Sequence, residues 1–151
     1  MGFDNAKGMA ISETVIRWAD ERQTARLESL DESVEAHRML ADRCRQAFGA
    51  ERDFTSLASK ALWLRYPEDV PLYDSLAERT LSVVSKMVEE KPPAKDKSDY
   101  YKFAYTWRLI DERYREAIEG MDMGEYKYRV RIFDKVLWIL GEPGYGYSDR
   151  D

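Results

Sequence analysis

Along most of the chain, apolar residues recur at intervals of three and four, as in Val15, Trp18 and Ala19, then Val34, Leu40, Cys44 and Phe48. That is the period of a helix with one buried face, not the alternation of a strand. The pattern predicts an all-α, compact single-domain bundle of about six helices. The first covers residues 12–30, or stops near 22 with a separate turn after it. A second starts after Asp31, an N-cap candidate with Glu32 and Glu35 in the first turn, and ends at Phe48, where Gly49 suits a left-handed C-cap. The third, over 54–66, stops because Pro67 pushes the residue before it out of the α region. The fourth, over 75–90, opens on Ser75 and Glu78 at capping-box spacing.

Residues 89–98, with Pro92 and Pro93 among charged side chains, read as a solvated linker, and a fifth helix spans 99–120. Residues 126–133 are ambiguous. Tyr126, Tyr128, Val130 and Ile132 alternate with Lys127, Arg129 and Arg131, yet Val130, Phe133, Leu137 and Leu140 also fit a helix. A sixth helix through Leu140 is favoured, with Gly141 and Pro143 as its stop. The ends, 1–10 and 142–151, read as flexible.

At 151 residues the chain has the size of one domain, and 44% hydrophobic with 35% charged residues suits one sizeable core and a solvated surface. The single cysteine, Cys44, can form neither an internal disulfide nor a cysteine zinc site, and reads as a small core residue. His37, the only histidine, lacks a patterned metal partner and reads as structural or surface, so neither a metal nor a cofactor is expected. No apolar run approaches membrane-spanning length, and the N-terminus lacks a leader pattern, which points to a cytoplasmic protein with no membrane partner.

The net charge of −5 argues against a polycation that coats nucleic acid. It is unevenly spread: residues 1–53 hold 8 basic against 11 acidic side chains, whereas 92–135 hold 10 against 9. Lys127, Arg129, Arg131 and Lys135 interleave with aromatic residues there, which suits phosphate contacts beside base stacking as well as the solvent face of an amphipathic helix.

The strongest local signal lies between Phe54 and Ser75. A helix, a proline stop and a short extended piece deliver Asp74 to the start of the next helix. A carboxylate there meets free backbone N–H groups and the positive end of the macrodipole. Simple capping accounts for it at about 1 kcal/mol. Such an anion can also stabilise positive charge on a reacting group, by roughly 4 kcal/mol at about 4 Å and an effective dielectric of about 20, or on the order of a thousandfold in rate.

Ser59-Lys60-Ala61-Leu62, Tyr66-Pro67, Val70-Pro71-Leu72-Tyr73-Asp74-Ser75 and Arg131-Ile132-Phe133-Asp134-Lys135-Val136-Leu137-Trp138 together resemble short bacterial proteins related to the 8-oxoguanine DNA glycosylase fold. In the helix-hairpin-helix glycosylase superfamily a Val-Pro-x-Asp-like element sets an essential aspartate at a helix N-terminus. The resemblance therefore implies that Asp74 is catalytic, with one extra residue in the element. It also implies a helix-hairpin-helix glycosylase-like fold, a DNA partner, and a lineage that excises modified bases, such as glucosylated cytosine, from phage DNA in anti-phage defence.

Two departures stand out. Residues 51–59 lack the Gly-x-Gly that grips a phosphate, and no lysine stands near 54–56 where bifunctional members carry their nucleophile. Lys60 lies later, so the expectation is a monofunctional DNA glycosylase that leaves an abasic site. Base flipping requires aromatic walls and polar readers. Trp63, Tyr66, Tyr73, Tyr105 and Trp107 are wall candidates. Lys60, Arg65 and Ser75 are candidate substrate contacts, and Lys127, Arg129, Arg131 and Lys135 candidate backbone contacts. The competing readings are a non-enzymatic helical protein-interaction module and, with sparser ingredients, a helical nuclease or toxin.

Overall fold

The computed structural model describes residues 5–22, 24–49, 52–87, 98–120 and 128–142. Among them are six α-helices and no strand: α1 (Asn5–Glu21), α2 (Leu30–Phe48), α3 (Thr55–Arg65), α4 (Ser75–Val84), α5 (Asp99–Glu119) and α6 (Arg129–Gly141), with a 3₁₀ turn at Ser85–Met87 after α4. The expected linker at 89–98, apart from Ser98, lies outside the described residues, as do Lys127 and the tail beyond Glu142.

Several boundaries differ from the sequence expectation. Residues 5–10, expected to be flexible, form the first turns of α1, which ends at Glu21 and leaves an irregular connector before α2. Helix α2 is capped by Ser29 rather than Asp31. The Ser29 hydroxyl accepts the Glu32 N–H, and the Glu32 carboxylate accepts the Ser29 N–H, so the reciprocal box needs Glu32 at the third helical position. At the other end, Gly49 takes φ 69° and donates to the Arg45 and Gln46 carbonyls, the left-handed cap its sequence position suggests.

Two apolar clusters make the interior. The first gathers Ile11 and Trp18 of α1, Leu40 and Cys44 of α2, Ala58 and Leu62 of α3, then Tyr66, Val70 and the first turns of α5 through Tyr100, Tyr101 and Ala104. The second gathers Ala77 and Leu81 of α4, Phe103, Trp107 and Ile110 of α5, and Val130, Phe133 and Leu137 of α6. Helix α5 runs through both. Tyr73 packs against both as well, its ring edge-on to Tyr100 at 6.3 Å and to Phe103 at 5.1 Å.

Helices α4 and α6 approach closely at Gly141, where a Cβ would lie 2.7 Å from Thr80 Oγ1 and 2.8 Å from the Leu76 carbonyl oxygen. Glycine is what permits this crossing.

Candidate functional site

The chain from Val70 to Asp74 crosses between the two clusters, and two buried polar side chains fix it. From α3, Ser59 accepts the Tyr73 N–H at 3.1 Å, and its own proton has the Ser56 carbonyl at 2.9 Å and the Tyr73 carbonyl at 3.2 Å within reach. From α6, Asp134 accepts the Leu72 N–H on Oδ2 at 3.2 Å and the Trp107 indole N–H on Oδ1 at 3.1 Å. The extended segment therefore meets its backbone hydrogen-bond requirement through side chains of two helices that flank it.

This fixing sets Asp74 as the N-cap of α4, with φ −147° and ψ 170°. Its Oδ1 accepts the N–H groups of Leu76 at 3.0 Å and Ala77 at 2.8 Å. Ser75, proposed above as the cap, is instead the first helical residue, and Glu78 accepts the Tyr73 hydroxyl at 2.9 Å rather than closing a capping box. Both bonds to Asp74 fall on Oδ1, so Oδ2 has no protein donor among the described residues.

Asp74 opens on a cleft of about 510 Å³ between α3, the start of α4, and α6. Lys60 and Trp63 line it from α3, and Arg131, Asp134, Lys135 and Trp138 line it from α6. The Arg131 guanidinium lies 5.3 Å from the Trp63 ring centroid, and Lys135 Nζ lies 5.1 Å from that of Trp138. Each cation thus rests on an aromatic face. Leu64, 76% exposed, and Trp138, 38% exposed, stand at the rim.

Asp134 is the functional candidate that the sequence reading passed over. It is 3% exposed, and burial pushes its carboxyl up to about 8, with the charge of Asp74 adding to the rise. The two N–H donors and Arg131 oppose that shift without cancelling it. Its position in segment 131–138, one of those that carry the resemblance, was the one available signal, and nothing local marks it as buried.

Of the residues nominated from sequence, the cleft brings together Asp74, Lys60, Trp63, Arg131 and Lys135. The other nominated residues that the structure describes do not line it. Arg65 donates to the Arg22 and Thr24 carbonyls and stabilises the connector after α1. Tyr66 is buried, with its hydroxyl 3.1 Å from Thr24 Oγ1. Tyr73 lies between the two cores, and Ser75 points to solvent. Trp107 is buried, with one edge on Asp134 and the other on a separate cavity of about 400 Å³ near Arg26, Asp69 and Arg108. These four larger side chains are consumed by packing or by backbone carbonyls, which local sequence does not reveal. Tyr105 is half-buried against Tyr101 in the first core. Arg129 opens α6, and Lys127 lies outside the described residues.

His37 is buried, donates from Nε2 to the Thr55 carbonyl at 2.9 Å and stacks on Tyr100 at 3.6 Å. Desolvation lowers it to about 4, so it sits neutral in the first core. Among the described residues no group of three His, Cys, Asp or Glu side chains is placed to hold a metal ion, and no helix is long and apolar enough to cross a membrane. No protein-family model, curated protein or solved structure matches the chain.

Proposed function

We propose that this protein is a DNA N-glycosylase that releases a modified base by hydrolysis and leaves an abasic site. One observation carries the reading: Asp74, whose Oδ2 has no donor among the described residues, lines a cleft that also holds three cationic side chains and two tryptophans. Breaking an N-glycosidic bond builds oxocarbenium character on the sugar, which a fixed carboxylate stabilises. Lys60, Arg131 and Lys135 supply attraction for the phosphates on either side of the flipped nucleotide, and Trp63 and Trp138 supply stacking faces. The opening volume lies within the range of small-ligand sites.

Lys60 lines the cleft from α3 and serves phosphate contact, and because no lysine stands near 54–56 the reaction ends at the abasic site. The resemblance set out above favours modified cytosines of phage DNA as targets and a role in anti-phage defence. The exposed Leu64 and Trp138 favour, as a second reading, a helical module that binds a protein partner without base release.

The test uses duplex oligonucleotides carrying glucosylated 5-hydroxymethylcytosine, 5-hydroxymethylcytosine, 8-oxoguanine or uracil. The expected outcome is alkali-labile breaks at one modified position, no borohydride-trapped adduct, and loss of at least about a thousandfold in rate in Asp74→Asn. Full activity in Asp74→Asn removes the carboxylate from the mechanism.

A further inference from the structure

The cleft holds two carboxyl groups in unlike surroundings. Asp74 is half-exposed at a helix N-terminus with one oxygen free of protein donors, whereas Asp134 is buried between the Leu72 backbone and the Trp107 indole. Both line the same opening, and the charge of Asp74 reaches Asp134. Paired carboxyls whose environments differ in this way divide the work of acid and of charge stabiliser. We propose that Asp134 is the acid that protonates the departing base, opposite the Asp74 carboxylate. The proposal rests on the base-excision reading.

The groups acting on Asp134 or beside it come from several elements: Asp74 at the head of α4, Tyr100 and Trp107 on α5 and Arg131 on α6, while Lys60 on α3 and Lys135 on α6 line the same cleft. Burial and Asp74 hold the proton on, and Arg131 with the two N–H donors pulls the other way, so the carboxyl still carries its proton at neutral pH. A neutral carboxyl retains acceptor capacity for Leu72 and Trp107 and has one O–H to give.

The step balances within the cleft. The bond from C1′ to the base nitrogen breaks, its electron pair passes to the base, and the Asp134 proton joins the base. Water adds its oxygen to C1′, and the proton released from that water restores Asp134. The net change is one water consumed, one free base and one C1′ hydroxyl formed.

The decisive measurement is single-turnover release from the fastest duplex of the panel above, followed from pH 5 to pH 10. The wild type is expected to hold its rate to about pH 8 and then to lose about tenfold per unit. Asp134→Asn is expected to be at least about 100-fold slower at pH 7 and to lack that alkaline fall. An unchanged rate, or an unchanged alkaline fall, in Asp134→Asn overturns the proposal. If circular dichroism shows that Asp134→Asn does not fold, the carbon-13 shift of the Asp134 carboxyl in the wild type decides: a midpoint matching the alkaline limb supports the role, and proton loss below pH 6 overturns it. Absence of base release by the wild type from every duplex overturns the excision reading itself. Release that Asp74→Asn abolishes and Asp134→Asn leaves intact overturns the role of Asp134 alone.

Discussion

The two halves of the interior are held by different means. Around the first core, the helix ends and connectors are tied by specific bonds: a reciprocal cap starts α2, Gly49 ends it, and Arg65 satisfies carbonyls of the connector, although Trp18 Nε1 and the Tyr100 hydroxyl are buried inside it without a partner among the described residues. Arg26 pairs with Asp69 at 2.8 Å, and the same carboxylate accepts the Leu27 N–H. The second core likewise leaves the buried Thr80 hydroxyl without a partner among the described residues, and it differs in holding a buried carboxyl and in depending on a bare glycine where α4 meets α6. The difference lies in which ionisable group each half buries: an imidazole in the first and a carboxyl in the second. The cleft lies along the second half and borrows one wall, α3, from the first.

The sharpest test of this contrast is pH. His37 belongs to the first core and has its folded value lowered to about 4, so its contribution is present above its ordinary value of 6.5 and is lost as pH falls toward 4. Asp134 belongs to the second core and has its value raised to about 8, so its contribution is present at low pH and is lost as pH rises through 8. Urea unfolding of wild type and His37→Phe at pH 7 and pH 4 is expected to show the wild type losing about 3 kcal/mol relative to the variant. A constant difference across that interval removes His37 as the acid-sensitive point of the first half.

A smaller effect is expected at Gly141→Ala. The added methyl group meets the Thr80 hydroxyl and the Leu76 carbonyl, and overpacking of this kind costs about 2 kcal/mol. Hydrogen exchange is expected to quicken in α4 and α6 before it quickens in α2, and uniform quickening breaks the division into two halves.

The smallest effect separates capping from chemistry. Asp74→Ser keeps an N-cap oxygen and is expected to shift stability by only a few tenths of a kcal/mol in thermal unfolding while abolishing base release. A large loss of stability assigns Asp74 to structure.

How much of this was legible in the sequence follows from the range of each interaction. The helical period, the Pro67 stop, the Gly49 cap and the arrival of Asp74 at a helix start are local, and the residues themselves announce them. Neighbouring caps were harder to choose between: Asp31 and Ser75 are as good in isolation as Ser29 and Asp74, and the choice depends on which oxygen the backbone brings into reach. The early start of α1 was also missed: Asn5–Glu21 has no acidic first turn, one of the usual start signals. The roles of Ser59 and Asp134 were beyond local reading, because their partners lie 14 and 62 residues away in sequence. The same distance misled the choice of Arg65, Tyr66 and Trp107, whose side chains look free in a sequence and are occupied in the fold.

The placement of Tyr73 has a mechanical consequence. Its ring is gripped by both halves of the molecule, and the next residue carries the carboxylate of the cleft. The packing of both clusters therefore bears on one ring, and through it on the position of the neighbouring charge.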